Sequence, residues 1–190
     1  MATPQEAIVI IRDAISTLSH DCTSTSHVRV IDLLSIIAQK AQLKEIEFIS
    51  VNWNHKHIKG QLLRYGDHAQ VRVNSGINSC WTRFVAAKEL AHLLLDTSAN
   101  HFTTDVEGLL DRLMNNQWST EKDMESERLA VIGAIELLIP QCCHAQLASM
   151  EAAETKHLEI ARHFMVPEKM IDKRLSDVYK QRIAEAYKDL

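Results

Sequence analysis

The chain is poor in the residues that punctuate or staple a fold. Among its 190 residues there are only 5 Gly and 3 Pro, which excludes collagen-like and low-complexity chains and leaves room for long helices. No run approaches the roughly 18 apolar residues of a membrane-spanning helix, so no membrane association is expected. The start, Met1 to Leu18, mixes Glu6, Arg12 and Asp13 among its apolar residues. That suits an amphipathic helix and lacks the basic start and unbroken apolar core of a secretory signal, so a cytoplasmic location is the expectation. There is no CxxC spacing. The four cysteines, Cys22, Cys80, Cys142 and Cys143, are expected to be free thiols in a reducing compartment rather than a zinc ribbon or redox pair. A formal charge of -4 gives no overall attraction to nucleic acid. What remains is an ordinary globular composition, 46% hydrophobic and 24% charged, in a chain long enough to bury about 70% of its unfolded surface.

Hydrophobic spacing divides the chain into two regimes. Ile8, Ile11, Ile15 and Leu18 recur at three and four residues and predict a helix over 4–18. The Thr/Ser-rich stretch from His20 to His27 breaks it. Val30, Leu33, Leu34, Ile37 and Ala41 predict a second helix over about 28–43. The period then changes to two, with strands expected around Ile46–Ser50, Ile58–Tyr65 and Gln70–Asn74, and with Tyr65-Gly66-Asp67 turning the second into the third. From Ser79, read as a cap, the helical period returns. Helices are expected over Trp81–Leu95, 105–115, Met124–Ile139 with a stop at Pro140, and Glu151–Phe164, with a loop around Asn115-Asn116-Gln117. The expected class is α+β: mostly helical, with a small, largely antiparallel sheet of about three strands. Residues 1–150 are expected to form the main domain and 151–190 a helical lobe packed on it.

The segment with chemical content is Lys88-Glu89-Leu90-Ala91-His92. In the zincin pattern HExxH, two histidines four apart share a helical face and bind zinc, and the glutamate beside the first activates the metal-bound water. Here the pattern reads KExxH. Its surroundings resemble the ImmA/IrrE metallopeptidase family, in which a strand precedes an RF-x-x-AHELGHLLL-type helix and a later helix carries a third zinc-binding glutamate before an LLMP-like tetrad. The matching pieces are Val71–Asn74, Arg83-Phe84 through Leu95, Glu127-Arg128-Leu129-Ala130, and Glu136-Leu137-Leu138-Ile139-Pro140. Beyond the proline, Ile160-Ala161, Phe164, Val166-Pro167 and Arg174-Leu175 follow the family's downstream element, so the resemblance covers roughly residues 45–175.

The resemblance implies a zincin-like fold, His92 as second metal ligand, Glu127 as third and Glu89 as general base, with Glu125 a weaker choice for the third ligand. The first ligand position is Lys88. An ordinary lysine must lose its proton to coordinate, at a cost of about 4.6 kcal/mol at neutral pH, whereas a histidine is already mostly neutral. The expectation is therefore that the Lys88 ammonium stands in for the missing cation, pairing with Glu127 and with Glu89, and that the pocket holds no zinc. His101, Asp96 and Asp105 are the candidates for a vacant coordination position; metzincin spacing would call for histidine at 98, which is Ser98. His55 and His57 read as a loop pair, and Cys142-Cys143-His144 cannot easily converge on one ion.

Three functions follow. The leading one is a degenerate, zinc-free regulatory or protein-binding module; the resemblance implies a DNA-binding repressor or a toxin–antitoxin component as its partner, and Gln70–Asn74 is the candidate edge strand for an extended peptide. The alternative is an active zinc metallo-endopeptidase cleaving a specific regulatory protein, with Glu89 as general base and zinc as cofactor. A third reading places DNA on Ile160–Met165, Val166-Pro167 and Met170–Leu175 in helix-turn-helix fashion. Residues 156–190 carry 8 Lys/Arg against 6 Asp/Glu, a net of +2, too little to neutralise many phosphates, so direct nucleic-acid binding is not expected.

Overall fold

A computed structural model describes residues 3–16, 18, 27–53, 58–95, 100–103, 122–186 and 188. In chain order its elements are α1 (Pro4–Ala14), α2 (Val30–Lys40), β1 (Glu45–Val51), β2 (Gly60–Tyr65), β3 (His68–Asn74), α3 (Ser79–Leu95), β4 (Asn100–Thr103), α4 (Lys122–Leu138), a short 3-10 turn (Gln141–Cys143), α5 (His144–Ala152), α6 (His157–Phe164), α7 (Glu168–Leu175) and α8 (Asp177–Ala186). The α+β, mostly helical architecture expected from the sequence is present, and among the described residues the sheet has four strands, one more than expected.

Local chemistry explains where the first elements begin. Thr3 and Glu6 form a capping box, the Thr3 hydroxyl accepting from the Glu6 N–H at 3.2 Å and the Glu6 carboxylate from the Thr3 N–H at 2.6 Å. Pro4 at the first helical position loses nothing by having no N–H. The apolar stripe Ala7, Ile8, Ile11 and Ala14 is buried, and α1 ends at Ala14, short of the predicted 18. At the other end of the sheet region, Gly66 takes a φ of 59°, the left-handed conformation that the tight β2–β3 turn requires.

Sheet order is β1-β3-β2-β4, with β1 parallel to β3 and the β2–β3 and β2–β4 pairs antiparallel. β3 therefore lies inside the sheet, and Gln70–Asn74 is not the free edge expected from the sequence, because both sides of its backbone are already paired. One face of the sheet, carrying Ile46, Leu62, Ala69, Val71 and Val73, is buried beneath the helices. The register puts Glu45, Glu47, Gln61, Gln70 and Arg72 on the other face.

α3 is the central helix, packed against α2, α4 and the sheet. Its cap is Asn78 rather than Ser79: the Asn78 side chain accepts from the Trp81 N–H at 3.0 Å and its carbonyl from the Thr82 N–H at 2.8 Å. α3 and α4 approach closely at Gly133, where an added Cβ would stand 2.7 Å from that of Ala91. The continuous helix expected over Glu151–Phe164 is in fact two. α5 stops at Ala152, Glu154 adopts a φ of 54°, and α6 restarts at His157; a left-handed residue breaks the i to i−4 ladder although the apolar spacing continues. One apolar cluster runs from Ile8 to Tyr179. The expected helix over 105–115, the loop at Asn115–Gln117, and Cys22, His55, His57, Asp96, Ser98 and Asp105 lie outside the described residues. Among the described residues no single helix is long and apolar enough to cross a membrane.

Candidate functional site

Four side chains singled out in the sequence meet between α3 and α4. Lys88, Glu89 and His92 on α3 are each 0% exposed, and Glu127 on the first turns of α4 is 19% exposed at its side chain. The face holding Lys88 and His92 follows from their four-residue spacing, and the register against α4 is set by the tight Gly133–Ala91 approach. The Lys88 ammonium donates to Glu127 Oε2 at 2.6 Å, lies 3.3 Å from His92 Nε2 and stands 3.7 Å from Glu89 Oε1. His92 Nε2 is also 3.2 Å from Glu127 Oε1, and its Nδ1 is 3.4 Å from the Ser126 hydroxyl. With hydrogen on Nε2 the imidazole donates to Glu127; with hydrogen on Nδ1 it donates toward Ser126 and its Nε2 accepts from Lys88.

Electrostatics follow from that geometry. Burial would push the Glu127 carboxyl up, but the His92 hydrogen bond and the charges of Lys88 and His92 outweigh it and hold the group at about 2. Glu127 is thus an anion at any ordinary pH. Glu125, two residues earlier, faces elsewhere: both its oxygens accept from Arg128 at 3.1 Å.

A fold of this kind implies zinc, and the donor set here is incomplete for it. Of the three ligand positions two keep a zinc donor, His92 and Glu127, Glu89 being the general base of the pattern, and a tetrahedral site with ligands at about 2.0–2.2 Å needs a third protein donor. Among the described residues no three His, Cys, Asp or Glu side chains are grouped to hold a metal. An ion held by His92 Nε2 and by the Glu127 oxygen that Lys88 bonds would lie at most about 5 Å from the ammonium. That repulsion is about 7 kcal/mol at an effective dielectric constant of 20. The residues present do not fit a zinc ion while Lys88 is charged and in this place.

Two further residues shape the site that sequence reasoning did not single out. Gly60, at the start of β2, lies so close to α3 that a Cβ there would overlap Val85 and stand 2.8 Å from Glu89 Oε1. An isolated glycine inside a strand pattern is the available signal for such an approach. Ser126 had no signal beyond adjacency to Glu127. Of the candidates for a vacant coordination position, His101 falls in β4, whose backbone pairs opposite Leu62 of β2. Cys143 is buried, Cys142 exposed, and His144 is turned to the Glu136 carboxylate at 3.9 Å; burial, and secondly the Arg174 charge, push that imidazole down to about 4.

Arg83 ties the site helix to its surroundings. Its guanidinium donates to the carbonyls of Phe164 at 2.9 Å, Met165 at 2.6 Å and Val28. The first two are orphan carbonyls at the end of α6, where Met165 is left-handed with a φ of 52°. One planar fork thereby holds α3, the lead into α2 and the α6–α7 corner together. Burial lowers its pKa to about 10, which leaves it charged at neutral pH.

The comparison with curated proteins found no match to the chain. Residues 45–176, which include β1, the KExxH helix, Glu127 and the corner held by Arg83, match a peptidase family described as the IrrE N-terminal-like domain, and the chain belongs to that family.

Proposed function

We propose that this chain is a metallopeptidase-fold protein that works without zinc, as a regulatory or protein-binding module whose partner is a DNA-binding repressor or a toxin–antitoxin component. The observation that carries the reading is the position of Lys88 Nζ, 2.6 Å from Glu127 Oε2 and 3.3 Å from His92 Nε2. A tethered cation there supplies the positive charge that keeps Glu127 ionised and buried, so the fold needs no ion at this point. Glu89, the general base of the enzymatic reading, becomes a second counter-charge to Lys88. Residues 151–190 are read as a helical lobe docked on the 1–150 body, and the Arg83 bonds to the α6 corner are part of that docking.

Metal content and proteolysis together test this. Wild type purified without added metal is expected to carry zinc at well under one ion per chain and to leave candidate repressor proteins uncut while retaining them in a pull-down. Lys88→His, which completes the HExxH pattern, is expected to gain one zinc per chain. Stoichiometric zinc in the wild type with cleavage lost in Glu89→Gln would establish the alternative, a zinc metallo-endopeptidase cleaving a specific regulatory protein.

A further inference from the structure

Among the described residues, strand β1 is a terminal strand of the sheet. Among the described residues it pairs only with β3, over seven residues in unbroken register, without a proline, a bulge or a lysine within it. Native sheets usually guard such an edge, because its free N–H and C=O groups are a template for another strand. The Val51 carbonyl accepts from Ser75 N–H on the β3 side. In a parallel pair the backbone groups alternate, so Glu45, Glu47, Ile49 and Val51 bond toward β3, and Ile46, Phe48 and Ser50 aim theirs outward. Phe48 and Ser50 are exposed.

The two faces beside this edge differ in chemistry. On the helix side Phe48 is 38% exposed and Ile31 of α2 62% exposed, and with Val30 they form the apolar part of an open cavity of about 260 Å³ whose remaining lining is His27, Arg29, Thr82 and Arg83. On the other side the exposed side chains are the carboxylates of Glu45 and Glu47, and Glu47 is held toward the strand by Gln70 at 2.7 Å. We propose that β1 docks an extended segment of a partner protein in which apolar residues, seated over Phe48 and Ile31, alternate with lysine or arginine beside Glu45 and Glu47. Opposite charges across a strand pair attract and like charges repel. A second copy of this chain fits less well, because antiparallel pairing about Phe48 would make the two Glu47 residues diagonal neighbours, their Cα atoms about 7–8 Å apart, with like charges on one face.

The inference rests on the protein-binding part of the function proposed above and not on the state of the Lys88 pocket, which lies against β2 with β3 between. It is tested on the full, isotopically labelled chain by amide hydrogen exchange, with an acetylated, amidated Lys-Val-Lys-Val-Lys-Val-Lys peptide and its Glu-for-Lys counterpart as probes. The expected result is that the Phe48 and Ser50 amides, fast in the free chain, slow by about tenfold or more with the lysine peptide while Glu47 and Ile49 change little. The glutamate peptide is expected to bind at least about tenfold more weakly. Ser50→Pro, which removes an outward donor without touching the β3 ladder, abolishes the protection, and Glu45→Lys with Glu47→Lys inverts the peptide preference. Unchanged exchange at Phe48 and Ser50 overturns the proposal. So does equal binding of the two peptides, or sedimentation showing a dimer in which those amides are already protected. None of these outcomes alters the expected zinc content, so the two readings fail separately.

Discussion

Replacing Lys88 by methionine keeps most of the buried stem and removes the charge that Glu127 faces at 2.6 Å. The carboxyl sits at about 2 against an ordinary value of 4.5, which at 1.36 kcal/mol per pH unit amounts to about 3 kcal/mol of favourable interaction with its surroundings. His92 supplies part of that. Breaking a buried ion pair by deleting one partner costs about 3–5 kcal/mol, and the partial exposure of Glu127 places this case at the lower end, about 3 kcal/mol at pH 7. The sign with pH follows from linkage. A carboxyl depressed in the folded chain stabilises it fully above 4.5, and that contribution fades as pH falls toward 2. Urea unfolding of wild type and Lys88→Met at pH 7 and again near pH 3.5 should therefore show a large stability gap that narrows in acid. Adding Glu127→Gln should recover most of the loss, because the uncompensated charge is then gone. A loss below about 0.5 kcal/mol at pH 7, or one that Glu127→Gln leaves untouched, would refute the pairing.

Gly60→Ala should lower stability by about 1–3 kcal/mol through overpacking against Val85 and Glu89, seen as a drop in Tm with unchanged secondary structure by circular dichroism. Arg83→Met should cost about 2–4 kcal/mol, since three charged hydrogen bonds to carbonyls are lost. It should also expose the Met165–Pro167 corner to limited proteolysis, and Arg83→Lys should rescue little because one ammonium cannot span those carbonyls. His144 is kept neutral with a pKa of about 4 against 6.5, so the unfolded chain takes up its proton first as pH falls. Stability is lost between pH 6.5 and 4, by at most about 3 kcal/mol, and His144→Gln should flatten that limb of a urea-denaturation pH profile.

The chemistry of α3 was legible because its information is local. Four-residue spacing alone puts Lys88 and His92 on one face, and the departure from HExxH is a single letter. Glu127 was not legible from spacing, since nothing in 39 residues of separation says which carboxylate folds back; only the resemblance named it. The edge position expected of Gln70–Asn74 failed for a related reason. The alternation that marks Gln70–Asn74 as a strand also suits an edge, and its interior place depends on the parallel return beside β1, a tertiary fact. The break at Glu154 was hidden because no glycine marks the left-handed residue, and the cap moved from Ser79 to Asn78 because either side chain can accept from the first turn. Arg83 looked like part of a family motif, and its reach to Phe164 and Met165 could not be read from one strand of letters.

The most direct test of the tethered cation is a crystal of the wild-type protein grown with excess zinc and measured on both sides of the zinc absorption edge. The account predicts no anomalous peak between His92 and Glu127, with the Lys88 amine bonded to the Glu127 carboxylate. A peak held by those two side chains, with the amine turned away, would contradict it.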